Sequence, residues 1–265
     1  MRLTLILSAI FLFALTACQS DKKEAATSST TAPTKPAAPA ADKYVLTPFS
    51  SSPQYPTAKI DAMTYKNGKF DFDISGEYEL GAQTSDAPGK MCANSGKGQH
   101  IHLIVGTAPY AAKYVANFEH DIADGDHSLL AFLSRSYHES IKSSGASTAV
   151  NVTVKDKTIT DATPIEAPTL FYSRPKGTYI GKANTDKVML DFFLANVDLK
   201  DGYTVKADIN GETHTITKWQ PYYIKGLPMG ENKITLTLLK DGKVVESPIN
   251  PVTRTFTLKA DPVEG

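Results

Sequence analysis

The sequence predicts an all-β protein made of two tandem β-sandwich domains, and three observations predict this class. Beyond residue 42, apolar and polar residues alternate over short stretches, which is the period of a half-buried strand. Hairpin-type Asn-Gly and Asp-Gly pairs begin at Asn67, Asn210 and Asp241, between such stretches. No long stretch shows the 3.6-residue period of an amphipathic helix. The clearest alternating stretches are Lys69 to Ile74, Tyr203 to Ile209 and Lys233 to Leu239.

The first element along the chain is a lipoprotein signal peptide at residues 1–17. Arg2 supplies the positive charge, an almost wholly apolar run follows, and the run ends at Leu15-Thr16-Ala17-Cys18. The apolar run is shorter than the about 20 residues that a membrane-spanning helix needs. The alternative is an ordinary apolar strand at the N-terminus. The signal predicts cleavage before Cys18, a diacylglycerol on its thiol, and a cell-envelope protein anchored to a membrane through that lipid. We expect the outer membrane, on either its periplasmic or its surface face.

Residues 18–42 read as a tether between the lipidated cysteine and the folded part. The segment consists largely of Ala, Thr, Ser, Pro and Lys and has no apolar periodicity. Such a composition cannot bury enough apolar surface to offset the entropy of ordering the chain. We therefore predict a disordered, semi-extended linker.

The remaining chain divides into two predicted domains, at residues 43–163 and 164–265, each immunoglobulin-like in architecture. A shift of 105 residues places His100 to Gly106 on Val205 to Gly211 and Asp124 to Leu133 on Met229 to Leu238, without a gap. This internal repeat indicates two copies of one sandwich, with the boundary near the prolines at 164 and 168. Two alternatives stay open: a chance similarity between β sequences, and a single larger sandwich.

Composition excludes several classes of function. The chain carries 28 basic and 28 acidic residues, and its neutral balance argues against a nucleic-acid partner. Only two cysteines occur, so lipidation of Cys18 leaves Cys92 as the sole thiol and excludes an intramolecular disulfide. The motifs of serine hydrolases, phosphate-binding loops and zinc proteases are absent from the sequence. We therefore expect a protein that is not an enzyme and holds no organic cofactor.

The histidines form the first candidate site. Most of the six lie in the first predicted domain, and His100 and His102 share one face of a strand. Together with His127 and Cys92 they make a candidate zinc or copper site, because imidazole and thiolate are the usual ligands of these ions. The repeat places His100 and His102 on the core-facing side, while the opposite face is apolar too, so we expect a strand covered on both sides. The alternative is a structural cluster of hydrogen-bonded polar groups.

The second candidate site is the polar run Ser134 to Ser140, directly after an apolar stretch. Its members are suited to binding a phosphate or carboxylate, because an arginine binds such anions in a bidentate manner. The expected partner is a peptide, a phosphopeptide or a glycan. A solvated loop is the alternative. The candidate ligand-binding residues are Arg135, Ser136, Tyr137 and His138, with Arg174 from the second domain.

The chain also resembles a family of predicted lipoproteins from Bacteroidota that are often labelled phosphopeptide-binding proteins. The resemblance covers nearly all of the part after the tether, and it implies a forkhead-associated-type domain. That domain has a Gly-Arg pair that this sequence lacks, and the spacing from Ser134 to His138 is one residue longer than its Ser-x-x-His motif. The motifs that carry the resemblance are Tyr44 to Phe49, Cys92 to Ser95 with Gly98 to His102, Phe132 to Ser140, and Trp219 to Tyr222 with Gly226 to Asn232.

These patterns predict a non-catalytic, membrane-anchored binding or interaction module of the cell envelope. Two other functions remain open: a zinc- or copper-binding envelope protein, and a purely structural envelope component.

Overall fold

The computed structural model describes residues 43–262, and the regular secondary structure of this part is nearly all strand. The predicted signal, Cys18 and the tether lie outside the described residues. Within them, no helix has the length and apolar character that crossing a membrane requires. The all-β prediction is confirmed.

Eighteen strands and three short helical turns make up the described part. The strands are β1 (Val45–Pro48), β2 (Lys59–Lys66), β3 (Lys69–Ser75), β4 (His100–Val105), β5 (Ala111–Lys113), β6 (Asn117–Glu119), β7 (Gly125–Ser134), β8 (Ser147–Lys155), β9 (Thr158–Pro164), β10 (Thr169–Arg174), β11 (Gly177–Ile180), β12 (Val188–Ala195), β13 (Tyr203–Ile209), β14 (Glu212–Ile216), β15 (Tyr222–Lys225), β16 (Gly230–Lys240), β17 (Lys243–Val244) and β18 (Val252–Lys259). The helical turns are α1 (Ala87–Lys90), α2 (Lys182–Thr185) and a 3₁₀ turn (Leu199–Asp201).

The first sandwich packs the sheet β2-β3-β6 against the sheet β5-β4-β7-β8-β9. Alternate residues of each strand face the core, as in Phe70 and Phe72 of β3 and Leu129 and Leu133 of β7. This alternation is what the period of two in the sequence predicts.

The second sandwich packs β1-β15-β12-β10 against β11-β18-β16-β13-β14, with β17 added beside β16. Strand β1 belongs to this sandwich, because Val45 to Pro48 pair with Lys225 to Tyr222 of β15. The sequence boundaries had assigned these residues to the first domain. The described part of the chain thus starts in the second sandwich and crosses to the first between β1 and β2.

The predicted hairpin turns are confirmed at all three positions. Asn67, Asn210 and Asp241 have φ of 52°, 50° and 50°, and the glycine after each also has a positive φ. Two consecutive left-handed residues define the turn that matches the twist of paired strands.

The strands that the internal repeat aligns have a similar pairing order in the two sandwiches. In the first sandwich β3 pairs with β6 and β4-β7-β8 are neighbours, and in the second β12 pairs with β15 and β13-β16-β18 are neighbours. Relative to the gapless sequence alignment, the pairing of β4 with β7 differs by one residue from the pairing of β13 with β16. Leu129 of β7 pairs with Val105, whereas its equivalent Ile234 of β16 pairs with Ile209 and not with Asn210.

This displacement corrects the predicted orientation of the histidines. A slip of one residue exchanges the two faces of a strand. Ile101 and Leu103 therefore point into the core of the first sandwich, and His100 and His102 lie on the outer face of the sheet. The prediction that β4 is covered on both sides is confirmed, since its first five residues are all buried.

The second sandwich covers that outer face. An apolar cluster joins Leu130 and Phe132 of β7 to Phe171 of β10 and Phe193 of β12, and the Phe132 and Phe193 rings stack at 5.6 Å. The buried Asp191 of β12 accepts from the backbone N–H of Ser140 and pairs with Lys142 at 3.0 Å. The facing sheets of the two sandwiches thus pack against each other, and their strands β4, β10 and β12 are buried on both faces.

We expect Phe132→Ala to lower the free energy of unfolding by about 3–5 kcal/mol, because it removes a fully buried ring and leaves a cavity between the sandwiches. Urea denaturation followed by tryptophan fluorescence measures this change. Val115→Ala is the matched control, since Val115 is 58% exposed and the loss there is expected to stay within about 0.5 kcal/mol. Equal effects of both substitutions would contradict the packing described here.

Candidate metal centre

Three histidines converge at the covered outer face of the first sandwich. The Nε2 atom of His100 lies 2.9 Å from Nε2 of His102 and 3.0 Å from Nδ1 of His138. One ring nitrogen from each residue lies within 4.8 Å of the other two. We call these three residues the histidine triad.

The hydrogen bonds of His100 fix its tautomer. Its Nδ1 lies 2.8 Å from the carbonyl oxygen of Gly98, which can only accept, so Nδ1 carries the proton. In the neutral ring Nε2 then presents a lone pair to His102 and His138. A second ring nitrogen bound to a backbone carbonyl is the arrangement that orients histidine ligands in metal sites.

A tight turn after β7 brings His138 to the triad. The His138 N–H donates to the carbonyl of Arg135, and the Arg135 N–H donates to the carbonyl of Glu139. His138 itself has φ of 71°, a left-handed conformation that costs roughly 1–2 kcal/mol for a residue with a side chain. Because His100 pairs with Ser134 at the end of β7, the turn that follows lies beside the first residue of β4.

Aromatic and hydroxyl side chains surround the triad. The Tyr110 ring stacks on the His102 ring at 3.6 Å, and its hydroxyl lies 3.4 Å from Nδ1 of His138. Ser173 places its hydroxyl 3.4 Å from Nδ1 of His102, and it lies at a bulge in β10, where the register with β12 shifts. His100 and His102 are fully buried and His138 is half-buried, so His138 is the ring nearest to solvent.

The surroundings keep the three rings neutral. Burial, together with the nearby cations Arg174 and Lys176, lowers the pKa of His100 to about 4, against the opposing hydrogen bond to Gly98. Burial also holds the pKa of His102 and of His138 well below the ordinary value, and Arg174 and Lys176 act in the same direction. Neutral imidazole is the form that binds a metal ion.

Two of the four residues predicted as metal ligands do not join the triad. His127 lies at the other end of the sheet and contacts the carbonyl of Ala123 through Nε2. Cys92 is half-buried beside α1 and Met91, and burial raises the pKa of its thiol to about 11, so the thiolate that a metal needs is scarce. Their place is taken by His138, which the sequence analysis had assigned to the anion site.

The predicted anion site is not available to a ligand. Arg135, Ser136 and Tyr137 are all buried, and the Arg135 guanidinium donates to the carbonyls of Pro53 and Ser140 and pairs with Glu139 at 3.6 Å. All three guanidinium nitrogens of Arg135 therefore already have a partner within the protein. The run is therefore neither a binding loop nor a solvated one. It is a buried turn that ties the segment after β1 to the first sandwich.

Arg174 does not share the hydrogen-bond partners of Arg135. Its Nε and Nη2 donate to the hydroxyl of Tyr179, within the second sandwich.

Comparisons with known proteins return fold likenesses only. No profile of a known family matches the chain, and no curated protein is similar to it. Fibronectin(III)-like modules of CbhA from Clostridium thermocellum are 14% identical, with 78% of this chain and 97% of theirs covered and a TM-score of 0.29. The extracellular domain of a putative hybrid two-component system from B. thetaiotaomicron is 9% identical, with 77% of this chain and 38% of that one covered and a TM-score of 0.28. We build nothing on either likeness.

We expect the free energy of unfolding to fall as the pH drops from about 6.5 to about 4. The unfolded chain binds protons on histidine near pH 6.5, whereas His100 in the folded protein does so only near pH 4, so protons favour the unfolded state in this window. His100 alone contributes about 3 kcal/mol to the fall, since one pKa unit corresponds to about 1.4 kcal/mol.

Urea denaturation at a series of pH values measures this dependence. His102→Asn is expected to flatten the curve between pH 6.5 and 4, because it removes one depressed histidine and the charge that would act on its neighbours. His127→Asn is the control and is expected to keep the wild-type slope. A slope unchanged in His102→Asn would show that the triad does not titrate as described.

Proposed function

We propose that this protein is a non-catalytic lipoprotein of the cell envelope that binds a zinc or copper ion at the histidine triad. One observation carries the proposal: one ring nitrogen from each of three histidines lies within 4.8 Å of the other two, and two of the three rings are buried. The lipid anchor at Cys18 and the outer-membrane location rest on the sequence, as does the absence of catalytic motifs.

The distances between the ring nitrogens of the triad are close to those between ligands of a tetrahedral metal ion. With metal–nitrogen bonds of about 2.0–2.1 Å, tetrahedral ligands lie about 3.3 Å from one another. The two short separations in the triad, 2.9 and 3.0 Å, are within a few tenths of an ångström of that edge. The third separation is no more than 4.8 Å, and it would reach the same length by a movement of His138, the half-buried ring of the three.

Hydrogen bonding alone accounts less well for the cluster. His100 Nε2 has one lone pair in the plane of the ring, yet two ring nitrogens lie within 3.0 Å of it. Only one of them can donate to it with good geometry. An ion at the centre would use the lone pairs of all three rings at once, which favours metal binding over a structural polar cluster.

The residues also indicate the type of site. Three histidines leave at least one coordination position open, as in zinc sites that bind a further ligand. The Tyr110 hydroxyl lies 3.4 Å from Nδ1 of His138, and burial raises its pKa to about 12, so it stays a neutral phenol and a weak ligand. Cysteine is absent from the triad, and the site therefore suits zinc or oxidised copper more than the thiolate-bound ions.

The proposal keeps the predicted class, a non-catalytic binding module, and changes the predicted ligand to a metal ion. Peptide, phosphopeptide or glycan binding at Arg135 is not proposed, because that side chain is buried and occupied. The resemblance to predicted Bacteroidota lipoproteins supports the envelope location and contributes nothing to the choice of metal.

We expect the lipoprotein, stripped of metal and held in detergent, to bind a single Zn²⁺ or Cu²⁺ ion in calorimetric titration. His102→Asn and His138→Asn are expected to lower the affinity at least about 100-fold, because loss of a direct ligand costs no less than loss of an outer partner, which is 10–100-fold. His127→Asn is the matched control and is expected to bind like the wild type.

Circular dichroism of each variant establishes that it is folded before titration. A wild-type protein that takes up no ion would leave the triad as a structural cluster and refute the proposal. An equal loss of affinity in His127→Asn would place the ion elsewhere in the chain.

We expect Cys18→Ala to abolish incorporation of labelled fatty acid and to release the protein from the membrane fraction, because Cys18 carries the proposed lipid. Cys92→Ala is the matched control, since it removes the other thiol and is expected to leave labelling unchanged. Labelling that survives in Cys18→Ala would contradict the lipoprotein signal.

A further inference from the structure

Two cations of the second sandwich stand beside the histidine triad without an acidic partner. Arg174 and Lys176 follow Ser173, whose hydroxyl contacts His102. The Lys176 ammonium lies 4.1 Å from the centre of the Tyr110 ring, and the Tyr110 ring in turn stacks on His102. Among the residues that the structure describes, neither cation forms a salt bridge.

This arrangement leaves a buried excess of positive charge. Arg174 is 5% exposed, and a divalent ion on three neutral histidines would add two further charges next to it. Uncompensated buried charge is among the most costly features a protein can hold. Asp191, the buried carboxylate of β12, is already bonded to Lys142 and Ser140. Among the described residues, no carboxylate is therefore paired with Arg174 or Lys176, and an anion from solution would balance the charge of a metal ion here.

Hydrogen-bond donors near the triad remain free to bind an anion. Arg174 uses Nε and Nη2 on the Tyr179 hydroxyl, and its Nη1 has no hydrogen-bond partner among the described residues. The Tyr110 hydroxyl, 3.4 Å from Nδ1 of His138, is a second O–H donor at the edge of the site. Metal, guanidinium and phenol together form a set of groups complementary to a small oxyanion.

We infer that a small carboxylate anion occupies the coordination position that the three histidines leave open, held by Arg174 through a hydrogen bond and by Lys176 through its charge. The inference rests on the proposed function, because it needs the metal ion. Binding is a ligand exchange: a carboxylate oxygen replaces a water molecule on the metal, and no proton or electron is transferred. The centre then serves to capture metal and carboxylate together.

The test uses the full-length lipoprotein in detergent, loaded with Cu²⁺, with azide as a coloured probe and formate as the carboxylate. Azide bound to the metal gives a charge-transfer absorption, and formate is expected to displace it. Arg174→Met is expected to weaken both anions at least about tenfold, the usual effect of losing a hydrogen bond to a charged group. Lys176→Met is expected to weaken them about threefold, as suits a charge acting from a distance.

Two variants serve as controls. Arg254→Met removes another buried arginine of the second sandwich, one that stacks on Tyr172 and is not among the charges that shift the pKa of the triad. It is expected to leave anion affinity unchanged. Lys176→Arg keeps the charge and is expected to restore wild-type affinity. If Arg174→Met does not fold, the pair of Lys176 variants decides the question.

The outcomes separate the two proposals. Normal Cu²⁺ uptake with equal anion affinity in wild type, Arg174→Met and Lys176→Met would overturn this inference and leave the metal site intact. No uptake of Cu²⁺ or Zn²⁺ at the triad would overturn both. Displacement of azide by formate, lost in the Arg174 variant and kept in the Arg254 variant, would establish the carboxylate site.

Discussion

Burial of the outer face of the β4-β7 sheet against the second sandwich is the constraint on which the rest of the structure depends. This contact covers the outer face of β4, whose other face packs in the core of the first sandwich, and it places Phe132 on Phe193. It also removes His100 and His102 from water, which is what holds their pKa values low and their rings neutral. The apolar packing and the candidate metal centre are therefore parts of one interface, in which the first sandwich supplies the imidazoles and the second supplies Ser173, Arg174 and Lys176.

The site combines features that conflict unless a ligand is present. Arg174 and Lys176 keep protons off the histidines, but the same charges disfavour a metal ion. Buried cations of this kind are seldom left without a counter-charge. A metal ion bound together with an anion resolves the conflict, because the anion lies between positive groups on both sides. The left-handed conformation of His138 fits the same picture, since backbone strain concentrates where a side chain must be held in one position.

Much of the fold was predictable, because its signals are local. Alternation defines strands such as β3 and β13, and the Asn-Gly pair at Asn67 defines a hairpin. The repeat was predictable as well, and strand pairing supports it. The site was predictable only in part. His100 and His102 stand out as a pair, but His138 joins them through a turn, and a link to it was visible only from the pairing of Ser134 with His100. The isolated Tyr110 gave no such signal.

The sequence by itself determined the all-β class, the positions of the turns, the two-sandwich repeat and the candidate lipid anchor, since each depends on neighbouring residues or on a short motif. Tertiary structure alone decided which way the histidines face. A one-residue displacement between β4 and β13 exchanges the two faces of the strand. Because β4 is covered on both sides, the pattern of apolar residues in the sequence does not reveal this displacement. Tertiary structure also decided that Arg135 is buried and committed to Pro53 while His138 reaches the triad, since that outcome depends on a segment far away in the chain.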